Sequence, residues 1–200
     1  MRAIVYHKYG TPDVLELKEV DKPVPKDDEV LIKVHAVSIN DWDLGLLEGD
    51  PINRMLNGLS KPKRKILGSD IAGRVEAVGK NITRFKTGDA VYGDLSGRWG
   101  GFAEYVCAGE NSLALKPAAM SFVDAAAIPQ AAMLAVQGLI DKGKIHTGQK
   151  LLINGAGGGV GTFGIQIAKL YGAEVTGVDS GAKLEMMRSI GFDHVLDYTK

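Results

Sequence analysis

A glycine-rich stretch between residues 150 and 179 holds the residues best suited to chemistry in this sequence. The apolar run at residues 151–153 leads into GAGGGVG, and apolar residues then recur near helical spacing up to Leu170. A second apolar segment ends at Asp179, 18 residues beyond Gly161. This order fits a dinucleotide, because glycines admit a pyrophosphate, the helix N-terminus is positive and the acid accepts ribose hydroxyls.

The match to G-x-G-x-x-G is incomplete, because the window that ends at Gly161 begins with Ala156 in place of the first glycine. A glycine-rich turn between strand and helix is also found as plain packing, so the flanking strand, helix and acid carry the prediction. The residues expected to hold the cofactor at this turn are Ala156, Gly157, Gly158, Gly159, Val160 and Gly161.

Composition limits the partners of this chain. The 200 residues include 24 Lys and Arg and 24 Asp and Glu, so no net charge draws the chain to nucleic acid or to an anionic membrane. The single cysteine, Cys107, excludes an internal disulfide framework, which suits a reducing cytoplasm. The sequence shows no signal-peptide pattern and no apolar run of membrane-spanning length, so we expect a soluble, unprocessed cytoplasmic protein.

The elements around the glycine-rich stretch change in type along the chain. Short strands separated by turn residues predict a small barrel in the first part, and residues 51–65, with the basic segment KPKRK, are expected to form a solvated polar loop. Ser121 and Asp124 have the form of a capping box before an alanine-rich helix that Pro129 ends. A second helix and then strand, helix, strand, helix, strand follow. The predicted strands are residues 3–6, 15–20, 30–37, 71–78, 90–92, 102–107, 113–115, 151–154, 175–178 and 194–198; beside the alanine-rich helix and the helix after the glycine-rich turn, the predicted helices are residues 41–47, 131–142 and 183–189.

Several sequence blocks occur together in one order. They are YGTPDVL near the start, GSDIAGRVEAVG at 68–79, FKTGDAVYG at 85–93, GGFAEY at 100–105, LKPAAMS at 115–121, AAAIP at 125–129 and GAGGGVG at 155–161. With them the chain resembles the medium-chain dehydrogenase/reductase superfamily, and within it the zinc-independent quinone oxidoreductase-like branch. The resemblance implies a GroES-like β-barrel catalytic domain at 1–120. Residues 121–200 would supply linking helices and the first half of a Rossmann doubly wound parallel sheet.

The resemblance also implies a reaction without zinc. Zinc-dependent relatives place a cysteine where this chain has Ser38 or Asn40, and a His-Glu pair where it has Ser69-Asp70. Asn40, in a segment that resembles the branch's Asn-Pro-x-Asp, is the candidate catalytic residue, because an amide can polarise an acceptor carbonyl beside a nicotinamide without titrating. The alternative is that Asn40 only caps the following helix.

The cofactor is open between NAD and NADP. Asp179 favours ribose hydroxyls and repels a 2′-phosphate, which indicates NAD. Ser180 and Lys183 resemble the serine and lysine that hold a 2′-phosphate in NADPH-using relatives, and Tyr198 matches a position near the adenosine; family habit therefore favours NADPH. In the alternative, Asp179 only caps the helix after it and Tyr198 is a strand-end aromatic.

Two function classes follow from the resemblance. The first is an NAD(P)H-dependent, zinc-independent oxidoreductase that transfers hydride to a quinone, an enone or an aldehyde. Because relatives continue for about another third of the chain, we expect a C-terminally truncated form with little turnover. The second is a non-catalytic nucleotide-binding or interaction protein on the same scaffold, since Gly45 and Leu134 replace a tyrosine and a threonine of the family. A small carbonyl or quinone is the expected partner. Dimers of the family commonly pair through the cofactor domain, so a homodimer is one of the assemblies that the resemblance implies, and the sequence leaves the oligomeric state open.

Overall fold

The computed structural model describes residues 1–200, which form two compact units, Met1–Gln130 and Ala131–Lys200. The functional domain boundary after residue 120 stays a prediction. No helix has both the length and the apolar character needed to cross a bilayer.

The first unit is built on an antiparallel sheet of five strands in the order β6-β3-β4-β5-β7. Register shifts next to Leu31 and Val34 bend the central pair, in which Val30 faces Val78. A separate antiparallel pair, β1 and β2, aligns Arg2 with Glu19. The strands are β1 (Arg2–Val5), β2 (Glu16–Glu19), β3 (Glu29–Val37), β4 (Asp70–Val78), β5 (Ala90–Asp94), β6 (Tyr105–Gly109) and β7 (Leu113–Leu115).

The sheet curves around an apolar core, and this confirms the predicted GroES-like architecture. Alternate residues of the strands, among them Ile32, Val75 and Val91, pack there with Phe85. The strands β3 and β4 approach closely at Gly73, where a Cβ would lie 2.2 Å from the Lys33 carbonyl oxygen. The sheet has two free edges, β6 and β7, so it does not close through a β6–β7 pairing.

Two short helices follow β3, and the second corrects the sequence prediction. The helix α1 (Asp41–Glu48) was expected, but α2 (Pro51–Asn57) lies where a polar loop was predicted. The side chain of Asp50 accepts hydrogen bonds from the backbone N–H groups of Ile52 and Asn53, both at 2.9 Å. An N-cap acid followed by proline at the first helical position explains why the helix begins there.

The linking helices form as the capping signals predict. The Ser121 hydroxyl accepts from the Asp124 backbone N–H at 3.0 Å and opens α3 (Phe122–Ala126). The next helix, α4 (Pro129–Val136), begins at the proline itself and continues into a π-helical segment at Gln137–Lys142. Pro129 therefore both ends one helix and starts the next.

The second unit carries a three-stranded parallel sheet in the order β10-β9-β8, as expected for half of a Rossmann sheet. Side chains such as Ile165, Val175 and Met187 form its core between the sheet and the helices. The strand β8 lies at an edge, as predicted for this half-sheet. The elements are β8 (Lys150–Asn154), α5 (Gly159–Leu170), β9 (Glu174–Asp179), α6 (Leu184–Ser189) and β10 (His194–Asp197).

Candidate functional site

The turn between β8 and α5 is tied to the neighbouring strand by its backbone. The N–H groups of Gly155 and Ala156 both donate to the carbonyl oxygen of Val178, at 3.0 and 3.1 Å. The N–H of Gly158 donates to the Gly155 carbonyl at 3.0 Å, which closes the turn. Gly155 has a φ of +73°, a conformation that favours glycine. Backbone hydrogen bonds therefore define the shape of the turn.

Gly161 permits the close approach of α5 to this turn. A Cβ at Gly161 would lie 2.3 Å from the Ala156 carbonyl oxygen, which is a severe overlap with backbone. Ala156 itself is fully buried, so its small side chain serves packing beneath the turn. Gly161, the last glycine of the fingerprint, thus allows the helix to pack closely on the turn. Ala156, which replaces the first glycine, fits because its methyl group is buried in the core of the second unit.

The N-terminus of α5 offers backbone donors to an anion. Gly158 is the N-cap residue and has no side chain to satisfy the first N–H groups of the helix. Thr162 is the first residue whose N–H reaches back to the Gly158 carbonyl, at 3.0 Å. The N–H groups of Gly159, Val160 and Gly161 precede that bond and, by helix geometry, have no intrahelical acceptor. These groups and the helix dipole suit a phosphate oxygen.

Asp179 lies at the end of β9 and bonds to the turn. Its Oδ2 accepts from the Gly157 N–H at 2.9 Å, and its Oδ1 accepts from the Ser180 N–H at 2.7 Å. The Lys183 ammonium lies 3.4 Å from Oδ1. The Ser180 N–H, the Gly157 N–H and then the Lys183 charge lower the pKa of this carboxyl, so it is ionised at neutral pH.

The structure brings most of the other predicted cofactor residues to the same end of the sheet. The Lys183 side chain is 46% exposed and packs so closely on the turn that a Cβ at Gly157 would lie 2.6 Å from its Cδ. Ser180 precedes the short 3₁₀ turn Gly181–Lys183. The Tyr198 N–H donates to the Asp179 carbonyl at 3.3 Å, while its side chain is 67% exposed. Their roles toward a cofactor stay predictions.

Asn40 belongs to the first unit and occupies the N-cap position of α1. Its backbone N–H donates to Asp43 Oδ2 at 3.1 Å. Its side-chain amide donates to the Ser69 hydroxyl at 3.1 Å and lies 3.5 Å from the Ser38 hydroxyl. The residue therefore has the capping position, and its amide nitrogen faces a polar cluster formed with Ser38 and Ser69. A catalytic role for this amide stays a prediction.

Asp70, which sequence reasoning left without a role, is fully buried beside this cluster. Its Oδ2 accepts from the Gln130 N–H at 2.9 Å, but its Oδ1 has no hydrogen-bond partner. Burial is the main cause that raises the pKa of this carboxyl to about 6, and the negative charges of Asp94 and Asp43 act in the same direction. The only sequence signal was an acid immediately before the apolar residues Ile71 and Ala72.

Comparison with known proteins places this geometry in a family. Residues 26–118 match the alcohol dehydrogenase GroES-like domain, and residues 159–200 match the family described as zinc-binding dehydrogenase. The chain is similar to a 2-methylene-furan-3-one reductase of Solanum lycopersicum, with 39% identity over all of this chain and 53% of that protein. It is 35% identical to the quinone oxidoreductase of Homo sapiens, over 92% of this chain and 55% of that protein.

The chain belongs to the medium-chain dehydrogenase/reductase superfamily. A solved superfamily structure, the Escherichia coli quinone oxidoreductase complexed with NADPH, superimposes with a TM-score of 0.87 and 28% identity. The match covers all of this chain and 59% of that protein. The chain thus spans between half and two thirds of the length of these three relatives.

The positions that hold zinc in zinc-dependent members of this superfamily carry other side chains here. Ser38, Asn40 and Ser69 offer hydroxyl and amide groups, which are poor zinc ligands, and Asn40 bonds to both serines. Asp70 keeps a carboxylate at the remaining position, and its Oδ2 accepts from the Gln130 N–H. No group of three or more His, Cys, Asp or Glu side chains in the chain is arranged to hold a metal ion. Cys107 is half-buried, and burial raises the pKa of its thiol to about 11, so the thiolate that zinc prefers is disfavoured.

Proposed function

We propose that this chain binds the adenosine and pyrophosphate part of NAD(P)H at the turn before α5. In this proposal the chain serves a zinc-independent reduction of a quinone, an enone or an aldehyde. The observation that carries the proposal is the cradle formed by Gly157, Gly158 and the N-terminus of α5, with ionised Asp179 at its side. A nicotinamide cofactor supplies the hydride for such a reduction.

The residues of the second unit divide the binding between them. The N–H groups of Gly159, Val160 and Gly161 would bind the pyrophosphate through hydrogen bonds and the helix dipole. Gly157 keeps the cradle open, since any larger residue would collide with Lys183. Asp179 already accepts two backbone N–H groups, so it holds the turn closed and retains lone pairs for a ribose hydroxyl.

Lys183 supports the choice of NADPH over NADH. Its ammonium group lies beside the Asp179 carboxylate but is only partly buried, so it can also reach a 2′-phosphate. Asp179 alone would repel that phosphate. Because the lysine offsets this repulsion, we propose that both cofactors bind and that Lys183 favours NADPH. The NADPH in the E. coli relative's structure supports the same preference.

The polar cluster of the first unit would serve the acceptor carbonyl. Both side-chain protons of Asn40 face serine hydroxyls, at 3.1 and 3.5 Å, and the longer contact is weak. We propose that the proton toward Ser38 is the one offered to a substrate oxygen, while the bond to Ser69 holds the amide plane. The hydroxyl and amide groups of Ser38, Asn40 and Ser69, which stand at three of the positions that hold zinc in zinc-dependent relatives, support a reaction without metal.

The test is a titration of the full chain with NADPH and NADH, followed by fluorescence or calorimetry. Replacing Lys183 with alanine should weaken NADPH binding on the order of tenfold and leave NADH binding nearly unchanged, since a charge-assisted contact is lost. The matched control is Lys142→Ala, an exposed lysine of the same unit without an ion-pair partner. Equal loss for both cofactors would contradict the assigned role of Lys183, and absence of binding to either cofactor would contradict the site.

Measurements of turnover with a quinone and with an enone test whether the chain catalyses the proposed reduction. Oxidation of NADPH that depends on such a substrate supports the reductase. Binding of NADPH without turnover would favour the alternative, a nucleotide-binding protein on the same scaffold, which the half-exposed Leu134 in place of a threonine makes worth testing.

A further inference from the structure

The helix α2 presents its apolar side to solvent. Ile52, Met55 and Leu56 follow the spacing of one helical face and are 73%, 77% and 57% exposed. Leu59, two residues beyond the end of the helix, is 72% exposed. Such a stripe normally faces the protein core. A contiguous exposed apolar group on a folded protein marks a contact surface.

Polar residues hold the opposite side of α2 against the first unit. Asn57 is fully buried, and its amide donates to the Tyr6 hydroxyl at 2.8 Å while its carbonyl oxygen accepts from the Arg64 N–H at 3.0 Å. These two hydrogen bonds of Asn57 anchor the C-terminal end of α2 to the rest of the first unit, and the apolar side chains of the helix are left on the solvent side.

The segment around this apolar side is strongly basic. Residues 51–65 contain Arg54, Lys61, Lys63, Arg64 and Lys65 and no acidic residue. None of these five side chains pairs with a carboxylate; Arg64 bonds to the Gly97 carbonyl oxygen, and Lys65 bonds to that of Pro62. The nearest acids in sequence are Glu48 and Asp50, and Asp50 is engaged as the cap of α2. Lys61, Lys63 and Lys65 remain exposed.

An outward apolar helix face next to unpaired lysines matches the chemistry of an anionic bilayer surface. Apolar side chains of this kind enter the boundary between headgroups and acyl chains, and lysines attract the lipid phosphates and carboxylates. A fluid bilayer also requires no matching shape, which suits side chains that project from a convex helix. An acidic protein partner would neutralise the charge of the lysines, but it would also need a groove complementary in shape to the four apolar side chains.

We propose that α2 and the loop to Lys65 form a peripheral docking site for anionic lipid membranes. In this arrangement the apolar residues of α2 enter the interface, and Lys61, Lys63 and Lys65 contact the headgroups. The proposal is independent of cofactor binding, because it uses only residues of the α2 segment.

The test is co-sedimentation of the full chain with phosphatidylcholine vesicles, with and without phosphatidylserine. The expected result is binding only to the vesicles that contain phosphatidylserine, weakened by added salt. The variant Lys61→Gln/Lys63→Gln should reduce binding on the order of tenfold or more. Its matched control, Lys8→Gln/Lys86→Gln, removes two exposed lysines elsewhere and should bind as the unchanged chain does.

A second pair of variants tests the apolar contribution. Met55→Ser/Leu56→Ser should also lose vesicle binding, whereas Val24→Ser, at an 84% exposed valine, should retain it. Circular dichroism and thermal melting establish that each variant is folded. Absence of vesicle binding by the unchanged chain, or equal losses in the control variants, would overturn the proposal. So would a result in which the apolar substitutions alter only self-association or binding to an acidic protein.

Discussion

Asp70 is a buried carboxyl group whose ionisation opposes folding. Its raised pKa, about 6, means that the folded chain binds more protons than the unfolded chain between pH 4 and 6, so this group lowers stability as pH rises through that window. In the unchanged chain, ionisation of Asp70 lowers the free energy of unfolding between pH 4 and pH 8 by about 2–3 kcal/mol. Replacing Asp70 with asparagine should remove this part of the pH dependence. Urea unfolding at the two pH values measures this difference.

The control for this prediction is Asp13→Asn, at an exposed carboxylate near the start of the chain. That substitution should shift the two unfolding free energies by similar small amounts. A pH dependence of stability that is the same for Asp70→Asn and for the unchanged chain would show that Asp70 does not titrate in this window.

Gly161 lies where α5 approaches the glycine-rich turn most closely. Its substitution by alanine places a Cβ 2.3 Å from a backbone oxygen that cannot move alone, so α5 must shift away from the turn. We expect a loss of about 1–3 kcal/mol in the free energy of unfolding, the usual range for overpacking. The matched control is Gly138→Ala, where a Cβ meets nothing within 4 Å. If both substitutions have the same effect, the close approach of helix and turn is not required.

The sequence predicts these residues to different extents. The glycine fingerprint predicts the turn at Gly161, because the positions that admit no Cβ carry glycine at a fixed spacing in the sequence. Asp70 leaves no such pattern, since its altered pKa arises from the burial and the neighbouring acids that only the folded sheet brings together. Asn40 lies between these cases: its capping position was foreseeable, while the direction of its amide toward Ser69 was not.

At the scale of elements, α2 is stabilised by its polar side. Replacing Asn57 with alanine removes the acceptor of the Arg64 backbone N–H and the donor to the Tyr6 hydroxyl, and it should cost about 1–3 kcal/mol in unfolding free energy. The substitution Leu56→Ser on the opposite side should change stability by no more than about 0.5 kcal/mol, because that side chain is exposed. Chemical denaturation of the two variants compares them directly. A larger cost for Leu56→Ser would show that the apolar side is buried in the folded protein.

A loop is predicted from the sequence where the structure has α2, although the sequence contains patterns typical of a helix there. Asp50 followed by Pro51 is a regular helix start, and the apolar spacing from Ile52 to Leu59 is helical. The lysine-rich continuation at residues 61–65 outweighed them and suggested a polar loop. By contrast, the sequence predicts the strands and the two linking helices. The strands alternate apolar and polar residues as they alternate buried and exposed side chains, and the helices begin at recognisable capping residues.

At the scale of the whole molecule, net charge conceals how charge is distributed. The equal numbers of acidic and basic residues argued against any anionic surface as a partner. Yet a segment of 15 residues from Pro51 to Lys65 carries all its charge with one sign. The net charge of the whole chain does not show such a local excess of one sign. A surface contact depends on that local charge, so the distribution of charge over the folded surface is more informative than the net charge.

The parallel sheet of the second unit leaves one face and one edge open to association. One face is covered by its helices, but Leu152 and Leu196 project from the other face and are 67% and 52% exposed. Parallel sheets are normally covered on both faces, and β8 also leaves an edge unpaired. We therefore expect the chain to self-associate as its concentration rises, and Leu152→Lys to shift it toward the monomer in analytical ultracentrifugation. Val123→Lys, at an equally exposed residue of α3, is the matched control and should leave the distribution unchanged, since it lies on neither the edge nor the open face. A chain that is monomeric at all concentrations would show that the exposed sheet face and edge do not drive association.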